Sequence, residues 1–456
     1  MHTDIQTPAL LFAPPVPRQP PVWLTNARLF DGTPHPIRQR VGVLIEDGRI
    51  SRVGDVGDGT PEGTIVIDLA GKLIMPGMIN GHLHGVGAVP ELGFGAQPTL
   101  PGTLSHALGA KLREFLRYGV TTVRDMGTYG DQVMENRQAM RAGVFRGARI
   151  LTCGLIISGT APGGVIFEGM YREADGPDEI RKGVREQIRR GADFIKIMTN
   201  GARSVELEAG LCRDAGDSAA AMPNQLTMEE MAAAVDESHR MGYDVAAHAE
   251  GIGGCEAAID LNMRTIEHGF YLHRRPDLLD RMAEADIALV PTFSSSYVFA
   301  GLDLQVGLGG DTEAYCTPEL DAVAVANIRE LEKTIHAAVA AGTPMVIGGD
   351  DLELRRGGIW IEVQRLVHHG LPAHDALVMA TSGAAAALGL SDLGSIEAGK
   401  VADIAVLNGD PIANPDILGD PRQFWLVLQD GAPVAGTAIE TDLADLGTPQ
   451  SDSPST

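Results

Sequence analysis

The amino-acid sequence predicts an α/β protein: a distorted (β/α)8 barrel of the TIM type, joined to a small β-sandwich formed from both chain ends. Two observations lead to this prediction. Eight short apolar runs alternate with amphipathic helical stretches over roughly 310 residues of the 456-residue chain. Before and after that region, the sequence shows short strands separated by turn signals. A doubly wound sheet would also alternate strands and helices, but it would not need eight strands.

The β-rich segments at the two chain ends resemble each other in pattern. Residues 22–76 contain short strands separated by turn signals such as "EDG", and residues 392–440 repeat this texture in "FWLVLQDGAPVAG". We therefore expect one β-sandwich from both segments, with the barrel between them at residues 77–391. The proline-rich residues 1–21 are expected to be loose, and residues 441–456 are expected to form a disordered tail.

The eight candidate barrel strands are short and apolar. They are residues 77–84, 120–126, 148–154, 194–200, 244–250, 263–269, 287–293 and 345–351. In a TIM barrel, the side chains that perform the chemistry lie at the carboxyl ends of the strands. The polar residues at these ends are therefore the candidates for a functional site.

Charge and composition narrow the classes of partner. The net charge of −24 argues against nucleic acid and anionic membranes, because both attract basic surfaces. No segment approaches the ~18 continuous apolar residues of a membrane helix, and the N-terminus lacks the basic region of a signal peptide. The four scattered cysteines suit a reducing compartment. We expect a cytoplasmic protein that acts on a small molecule.

Two histidines end the first candidate strand, in "GMINGHLH". His82 and His84 are two residues apart, so on a strand their side chains point the same way and can bind one ion. A single histidine at a strand end is more often a hydrogen-bonded structural residue. Here, however, His248, His268 and Asp350 end three further candidate strands. The occurrence of the whole set favours a metal site.

Lys196 lies in "DFIKIMT", an apolar strand that should be buried. Lysine is rarely buried unless it is paired or chemically altered, and burial lowers the pKa of its amine. A neutral amine can react with CO₂ to form a carbamate, whose two oxygens can bridge two divalent ions. The alternative is a Lys196 that reaches the barrel mouth and pairs with Asp350.

Asp350 lies in "VIGGDD", at the end of the last candidate strand. A carboxylate beside a metal-bound water can take the water's proton and later give it to a leaving amine. Asp351 should point to the other face of the strand, so Asp350 is the candidate for proton transfer.

Several segments of the chain resemble the amidohydrolase superfamily. The segments are "PGMINGHLH", "GVTTVRDMG", "GADFIKIMTNGA", "VAAHAEG", "TIEHG" and "GSIEAGKVADIAVLNGDP". They are most similar to one branch, which holds the prolidase-like (Xaa-Pro dipeptidase) and imidazolonepropionase-related proteins. The resemblance covers about residues 22–435. It implies a distorted TIM barrel with a flanking β-sandwich, a binuclear metal centre and a homo-oligomer.

The resemblance also implies a ligand set. Carried over by position, the ligands are His82, His84, Lys196, His248, His268 and Asp350. The first two histidines and the aspartate would hold one ion, and the other two histidines would hold the second. A carboxylated Lys196 and a hydroxide would bridge the two. Zinc is the expected metal, because imidazole and carboxylate ligands suit it, although cobalt and manganese remain open.

The implied activity is hydrolysis of an amide or peptide-like C–N bond by the metal-bridging hydroxide. An Xaa-Pro dipeptide or an N-acyl amino acid would be the substrate. However, residues 158–170, "SGTAPGGVIFEGM", lack the histidine that prolidase-like members usually carry there. An uncharged amide, urea or carbamate therefore remains an alternative, as do a lactone or other ester and a non-catalytic scaffold.

Two further residues are candidates for substrate binding. Arg203 could bind a substrate carboxylate or be a solvated loop residue, and Tyr271 could contact substrate or pack in the core. A third residue, Glu250 in "HAEG", occupies the place of the catalytic glutamate of adenosine-type deaminases. The pattern around Glu250 differs from theirs, so we expect Glu250 to cap the following helix. Lys196 argues against true imidazolonepropionases and cytosine-type deaminases, which have no bridging lysine.

Overall fold

The computed structural model describes residues 20–55, 60–85, 101–202, 206, 222–299, 318–350 and 359–440. The predicted tail at 441–456, and all but the last two of the residues predicted to be loose at the N-terminus, lie outside these ranges. None of the described helices is both long and apolar enough to span a bilayer.

Seventeen strands are described. In chain order they are β1 (Val22–Leu29), β2 (Arg38–Glu46), β3 (Arg49–Asp55), β4 (Ile65–Asp68), β5 (Leu73–Pro76), β6 (Met78–Leu83), β7 (Val120–Asp125), β8 (Arg149–Thr152), β9 (Ile156–Ser158), β10 (Tyr171–Glu173), β11 (Ile195–Met198), β12 (Val245–Ala249), β13 (Thr265–His268), β14 (Ala288–Val290), β15 (Ile404–Leu407), β16 (Phe424–Gln429) and β17 (Ala432–Ala435).

The α-helices of the described residues lie mostly between the central strands. They are α1 (Pro101–Arg117), α2 (Gln132–Arg141), α3 (Gly163–Ile166), α4 (Pro177–Arg190), α5 (Met228–Arg240), α6 (Ile252–Asp260), α7 (Pro276–Glu284), α8 (Phe293–Phe299), α9 (Pro318–Ala341), α10 (Ile359–His368), α11 (Ala373–Met379), α12 (Ser382–Ala387) and α13 (Thr437–Glu440). Short 3-10 turns occur at Leu272–Arg274, Pro415–Gly419 and Pro421–Gln423.

The two chain ends form one eight-stranded sheet. Its strand order is β17-β16-β15-β5-β1-β2-β3, and β4 pairs with β1. The ends meet where β5 pairs antiparallel with β15, with Leu73 opposite Leu407. Apolar side chains from both ends, among them Leu24, Ile74 and Ile404, form a core of their own. The sheet therefore joins the two predicted β-rich segments, while its description as a sandwich stays a prediction.

The central strands form two parallel sheets. One has the order β6-β7-β8 and the other the order β10-β9-β11-β12-β13-β14. Except for β10, the strands follow one another in chain order, as they do when each helix returns the chain to the next parallel strand. Seven of the eight candidate strands contain one of these strands, whereas β9 and β10 were not foreseen.

The eighth candidate does not form a strand. Within residues 345–350 only Met345 is bridged, to Leu289 of β14. The segment nevertheless lies between β14 and β6, because Leu289 N donates to Pro344 O at 2.9 Å and Gly81 N donates to Ile347 O at 2.8 Å. Closure of both parallel sheets into one barrel stays a prediction.

A buried ion pair attaches the end sheet to the parallel sheets. Arg149 of β8 donates to Asp403 Oδ2 at 2.7 Å and to Asp430 Oδ1 at 2.8 Å. The Asp403 side chain is only 4% exposed, whereas that of Arg149 is 28% exposed. Nearby, Gln429 Nε2 donates to Thr121 O and Gly147 O. The contact thus depends on a buried carboxylate, Asp403, whose cation is only partly exposed.

We expect Arg149→Met to lower the free energy of unfolding by about 2 kcal/mol, because it leaves the buried Asp403 carboxylate without its cation. The measurement is urea unfolding. Arg117→Met is the control: Arg117 pairs with Glu114 on the surface, with 52% of its side chain exposed. That change should cost less than about 0.5 kcal/mol. Equal effects of the two variants would contradict this account.

Candidate metal centre

His82, His84 and Asp350 converge at the end of β6. The Nε2 atoms of His82 and His84 lie 3.2 Å and 3.4 Å from Asp350 Oδ1. One ligand atom from each residue can be chosen so that all three lie within 4.8 Å of one another. His82 is buried, and the other two side chains are half-buried. The arrangement could hold one divalent ion.

The backbone around the glycines of "VIGGDD" makes this approach possible. A Cβ at Gly348 would lie 2.5 Å from His82 Cβ, so no other residue type fits there without a shift. Asp350 adopts a left-handed φ of 49° and its N–H donates to His82 O at 2.9 Å. Asn80 Oδ1 accepts from His82 N at 3.1 Å and from Gly349 N at 3.3 Å. These bonds fix the carboxylate against the histidine strand.

His248 and His268 form a second imidazole pair at the ends of β12 and β13. Their ring centroids lie 4.5 Å apart, and the His268 ring lies 5.4 Å from that of His82. Thr292 Oγ1 lies 2.7 Å from His268 Nδ1. Burial, together with the neighbouring His248, holds the pKa of His268 well below its usual value. His268 is therefore neutral, as a metal ligand must be.

Lys196 of β11 is buried, with 1% of its surface exposed. Burial lowers the pKa of its amine, against the attraction of Glu267, Cys153 and Asp350. Among the described residues it forms no salt bridge with Asp350 or any other carboxylate. The pairing with Asp350 that the sequence left open is therefore not observed. A buried amine whose pKa is lowered fits a site of carbamate formation.

Two charged residues that the sequence analysis did not select hold the histidine strand in place. Glu267 Oε2 lies 2.7 Å from His82 Nδ1. Glu267 Oε1 accepts from Arg124 Nη1 at 3.3 Å and from Thr265 Oγ1 at 2.5 Å. Arg124 stacks over the Phe194 ring at 4.2 Å. Burial opposes ionisation of Glu267, but Arg124 and His82 lower its pKa to about 2. The sequence did offer a sign of their importance, because "TTVRDM" and "TIEHG" place a charged residue inside an otherwise apolar strand.

The hydrogen bonds of the histidines determine where their free nitrogens point. With Glu267 accepting from Nδ1, a neutral His82 carries a lone pair on Nε2, facing Asp350. This buried Nε2 has no hydrogen-bond partner among the described residues. His84 is arranged in the same way, since its Nδ1 lies 2.7 Å from Gly127 O. With these tautomers, a cation between the lone pairs and the carboxylate would make the approach favourable, so the residues present fit a metal ion.

Of the remaining candidates, only Tyr271 and Glu250 lie within the described residues. Arg203 lies outside the described residues. Tyr271 Oη donates to Asn327 Oδ1 at 3.4 Å, and Arg274 stacks on its ring at 5.0 Å, so its described contacts are packing contacts. Glu250 does not cap α6, because the N-cap residue is Gly251 and no side chain caps this helix.

The family to which the chain belongs is shown by comparison with known proteins. The model of the amidohydrolase family matches residues 73–431, most of the chain. The chain belongs to the amidohydrolase family. The resemblance inferred from the motifs is thus confirmed, and the protein is a hydrolase that acts on carbon–nitrogen bonds.

Individual relatives agree with this assignment. The ochratoxinase of Aspergillus niger is 27% identical over 394 residues, covering 80% of this chain and 76% of that protein. Among solved structures, a Xaa-Pro dipeptidase with bound methionine is 25% identical with a TM-score of 0.75, covering 91% of this chain and 99% of that one. The A. niger ochratoxinase structure has a TM-score of 0.77 at 24% identity, over 91% and 96% of the two chains. These neighbours place the α/β fold in the TIM-barrel type.

We expect Glu267→Gln to weaken metal binding about 10- to 100-fold, because an amide cannot orient the His82 ring as a carboxylate does. The measurement is competition for Zn²⁺ with a chromophoric chelator. Glu256→Gln is the matched control, since Glu256 pairs with Arg275 on the surface. Thermal unfolding would identify a folding defect, and unchanged affinity in a folded variant would contradict the positioning role.

Proposed function

We propose that this amidohydrolase-family protein is a metal-dependent enzyme that hydrolyses an amide or peptide-like bond of a small substrate. The observation that carries the proposal is the approach of His82 Nε2 and His84 Nε2 to Asp350 Oδ1, which a metal ion would turn from unfavourable to favourable. The parallel sheets would form one distorted barrel. The end sheet would belong to a β-sandwich domain made of residues 22–76 and 392–440.

The proposed ligands divide between two ions. His82, His84 and Asp350 would hold the first ion. His248 and His268 would hold the second. Lys196, as a carbamate, would bridge them from β11, which lies beside β12 in the same sheet. Zinc is the proposed metal, because four imidazoles and a carboxylate suit it. Homo-oligomeric assembly and a cytoplasmic location stay predictions.

When bound, the metal would supply a lowered pKa for the attacking water and polarisation of the scissile carbonyl. The remaining tasks fall to the chain. Asp350 is placed to accept a proton at a carboxylate oxygen and to deliver it to the leaving nitrogen. Glu267 holds the His82 ring in one tautomer while this happens. His82 and Glu267 are buried, so bulk water does not compete for the hydrogen bond between them.

The proposed substrate is an Xaa-Pro dipeptide or an N-acyl amino acid. The similarity to a Xaa-Pro dipeptidase across 91% of the chain supports this choice. Arg203 is the proposed contact for a substrate carboxylate. The second candidate class, uncharged amides, ureas and carbamates, is favoured by the absence of histidine from residues 158–170. Tyr271 is held by Asn327, so we assign it a weaker part in binding.

We expect Lys196→Ala to lose more than half of its bound metal, because the bridging carbamate cannot form. Added short carboxylic acids should restore part of both metal content and activity, since they can occupy the cavity and supply two oxygens. The measurements are metal analysis by mass spectrometry and turnover with and without propionate. Full metal occupancy without any rescue would exclude the carbamate.

We expect Asp350→Asn to lower kcat by about 10³-fold or more, because an amide cannot carry the proton. The assay measures turnover by metal-loaded enzyme on a panel of substrates that has two halves. One half is Xaa-Pro dipeptides and N-acyl amino acids; the other is uncharged anilides, ureas and carbamates. Turnover confined to the first half supports the proposed substrate.

Asp375→Asn is the matched control, because Asp375 lies on α11 and half of its side chain is exposed. Turnover confined to the uncharged half would replace the proposed substrate with the alternative class. An active Asp350→Asn enzyme would remove Asp350 from the reaction. No turnover by the metal-loaded wild type on either half would overturn the proposed function.

A further inference from the structure

Three residues around the candidate metal centre have a left-handed backbone. The φ angles of His268, Thr292 and Asp350 are 73°, 49° and 49°. Aspartate and histidine adopt such angles more readily than most residues, whereas for a β-branched residue they are a clear outlier. Because strained residues persist only where their surroundings hold them, the backbone of Thr292 requires an explanation.

Thr292 begins a short segment, residues 292–294, which follows β14 and includes the first two residues of α8. Thr292 Oγ1 lies 2.7 Å from Nδ1 of His268, the last residue of β13. When Nδ1 donates to this hydroxyl, the lone pair of a neutral His268 is on Nε2. Thr292 is fully buried, so bulk water does not compete for the contact. At this end, the 292–294 segment orients the His268 ring.

The other end of the segment contacts the turn that carries Asp350. Ser294 Oγ donates to Gly349 O at 3.1 Å, and Ser294 is buried. Gly349 immediately precedes Asp350 in the chain, so this bond helps to set the position of the carboxylate. One segment of three residues is thus connected to a proposed ligand of each ion.

Glu362 of α10 holds the 292–294 segment in place. Its Oε1 accepts from Phe293 N at 2.7 Å, and its Oε2 accepts from Ser294 N at 2.6 Å. Glu362 is buried, with 0% of its surface exposed. A carboxylate presents two acceptor oxygens to two neighbouring N–H groups, whereas an amide presents one acceptor and one donor. Since the two bonds follow Thr292 directly in the chain, they stabilise its left-handed backbone.

We propose that Glu362, through the 292–294 segment, positions a ligand of each proposed ion. At one end the segment orients His268, and at the other it holds the turn that carries Asp350. Glu362 is therefore a positioning residue, which lies on a helix outside the strand ends. This inference rests on the proposed function, because it takes both residues as metal ligands.

The first test measures binding of Zn²⁺ rather than turnover. The full chain is freed of metal and titrated with Zn²⁺ against a chromophoric chelator, which resolves the two binding steps. We expect Thr292→Val to weaken one step about 10- to 100-fold, because it keeps the β-branched shape but removes the hydroxyl. Thr292→Ser keeps the hydroxyl and should retain most of the affinity. Equal affinities of these two variants would overturn the proposal.

Glu362→Gln should weaken both steps, each at least about tenfold, because one of the two N–H groups then faces an amide donor. Glu237→Gln is the matched control: Glu237 is also buried, but it accepts from Arg185 on α4. Both changes should lower the temperature of unfolding, whereas only Glu362→Gln should lower the affinity for Zn²⁺. A folded Glu362→Gln protein in which either step is unchanged would overturn the proposal. If this variant does not fold, the two Thr292 variants decide the outcome.

Turnover on the two halves of the substrate panel separates this inference from the proposed function. If the variants differ in Zn²⁺ affinity as expected but the wild type cleaves no substrate, the proposed function fails and the positioning role stands. If the wild type cleaves a substrate and the affinities of Thr292→Val and Glu362→Gln equal its own, the positioning role fails and the proposed function stands. A wild type that binds neither Zn²⁺, Co²⁺ nor Mn²⁺ would overturn both.

Discussion

The approach of Asp350 Oδ1 to two imidazole nitrogens is the constraint on which the rest of the site depends. A carboxylate oxygen and two nitrogen lone pairs repel one another unless a cation lies between them. The chain accepts this arrangement, because the other nitrogen of each ring is already committed: His82 Nδ1 to Glu267 and His84 Nδ1 to Gly127 O. The free nitrogens can then point in one direction only.

The support for this arrangement extends through several strands. Arg124 on β7 balances Glu267 on β13, which in turn orients His82 on β6. An unpaired carboxylate at this depth would be neutral, and it would no longer hold the ring by its charge. These three side chains come from both parallel sheets. The spacing of the sheets and the orientation of the His82 ring therefore depend on each other.

The sequence predicted the positions of side chains at the strand ends better than the roles of charged residues inside the strands. His82, His84, His248 and His268 could be placed at strand ends because period-two spacing and strand position determine where such side chains point, while their role as ligands stays a prediction. The eighth strand failed as a strand, because Gly348 must let the chain pass close to His82 and Asp350 turns to a left-handed φ. The roles of Glu267 and Arg124 could not be read, since their partners are far apart in sequence. Glu250 likewise contacts His248 instead of capping a helix.

The pairing of β5 with β15 has a consequence for biosynthesis. The paired residues Leu73 and Leu407 are separated by roughly 330 positions, so the edge of β5 stays open until nearly the whole chain has left the ribosome. At ordinary translation speeds that delay is on the order of tens of seconds. During it, the β-strands before β6 present an unpaired edge to other nascent chains. The chain is therefore most exposed to aggregation while it is being made, and a chaperone that covers this edge would act before the candidate metal centre can assemble.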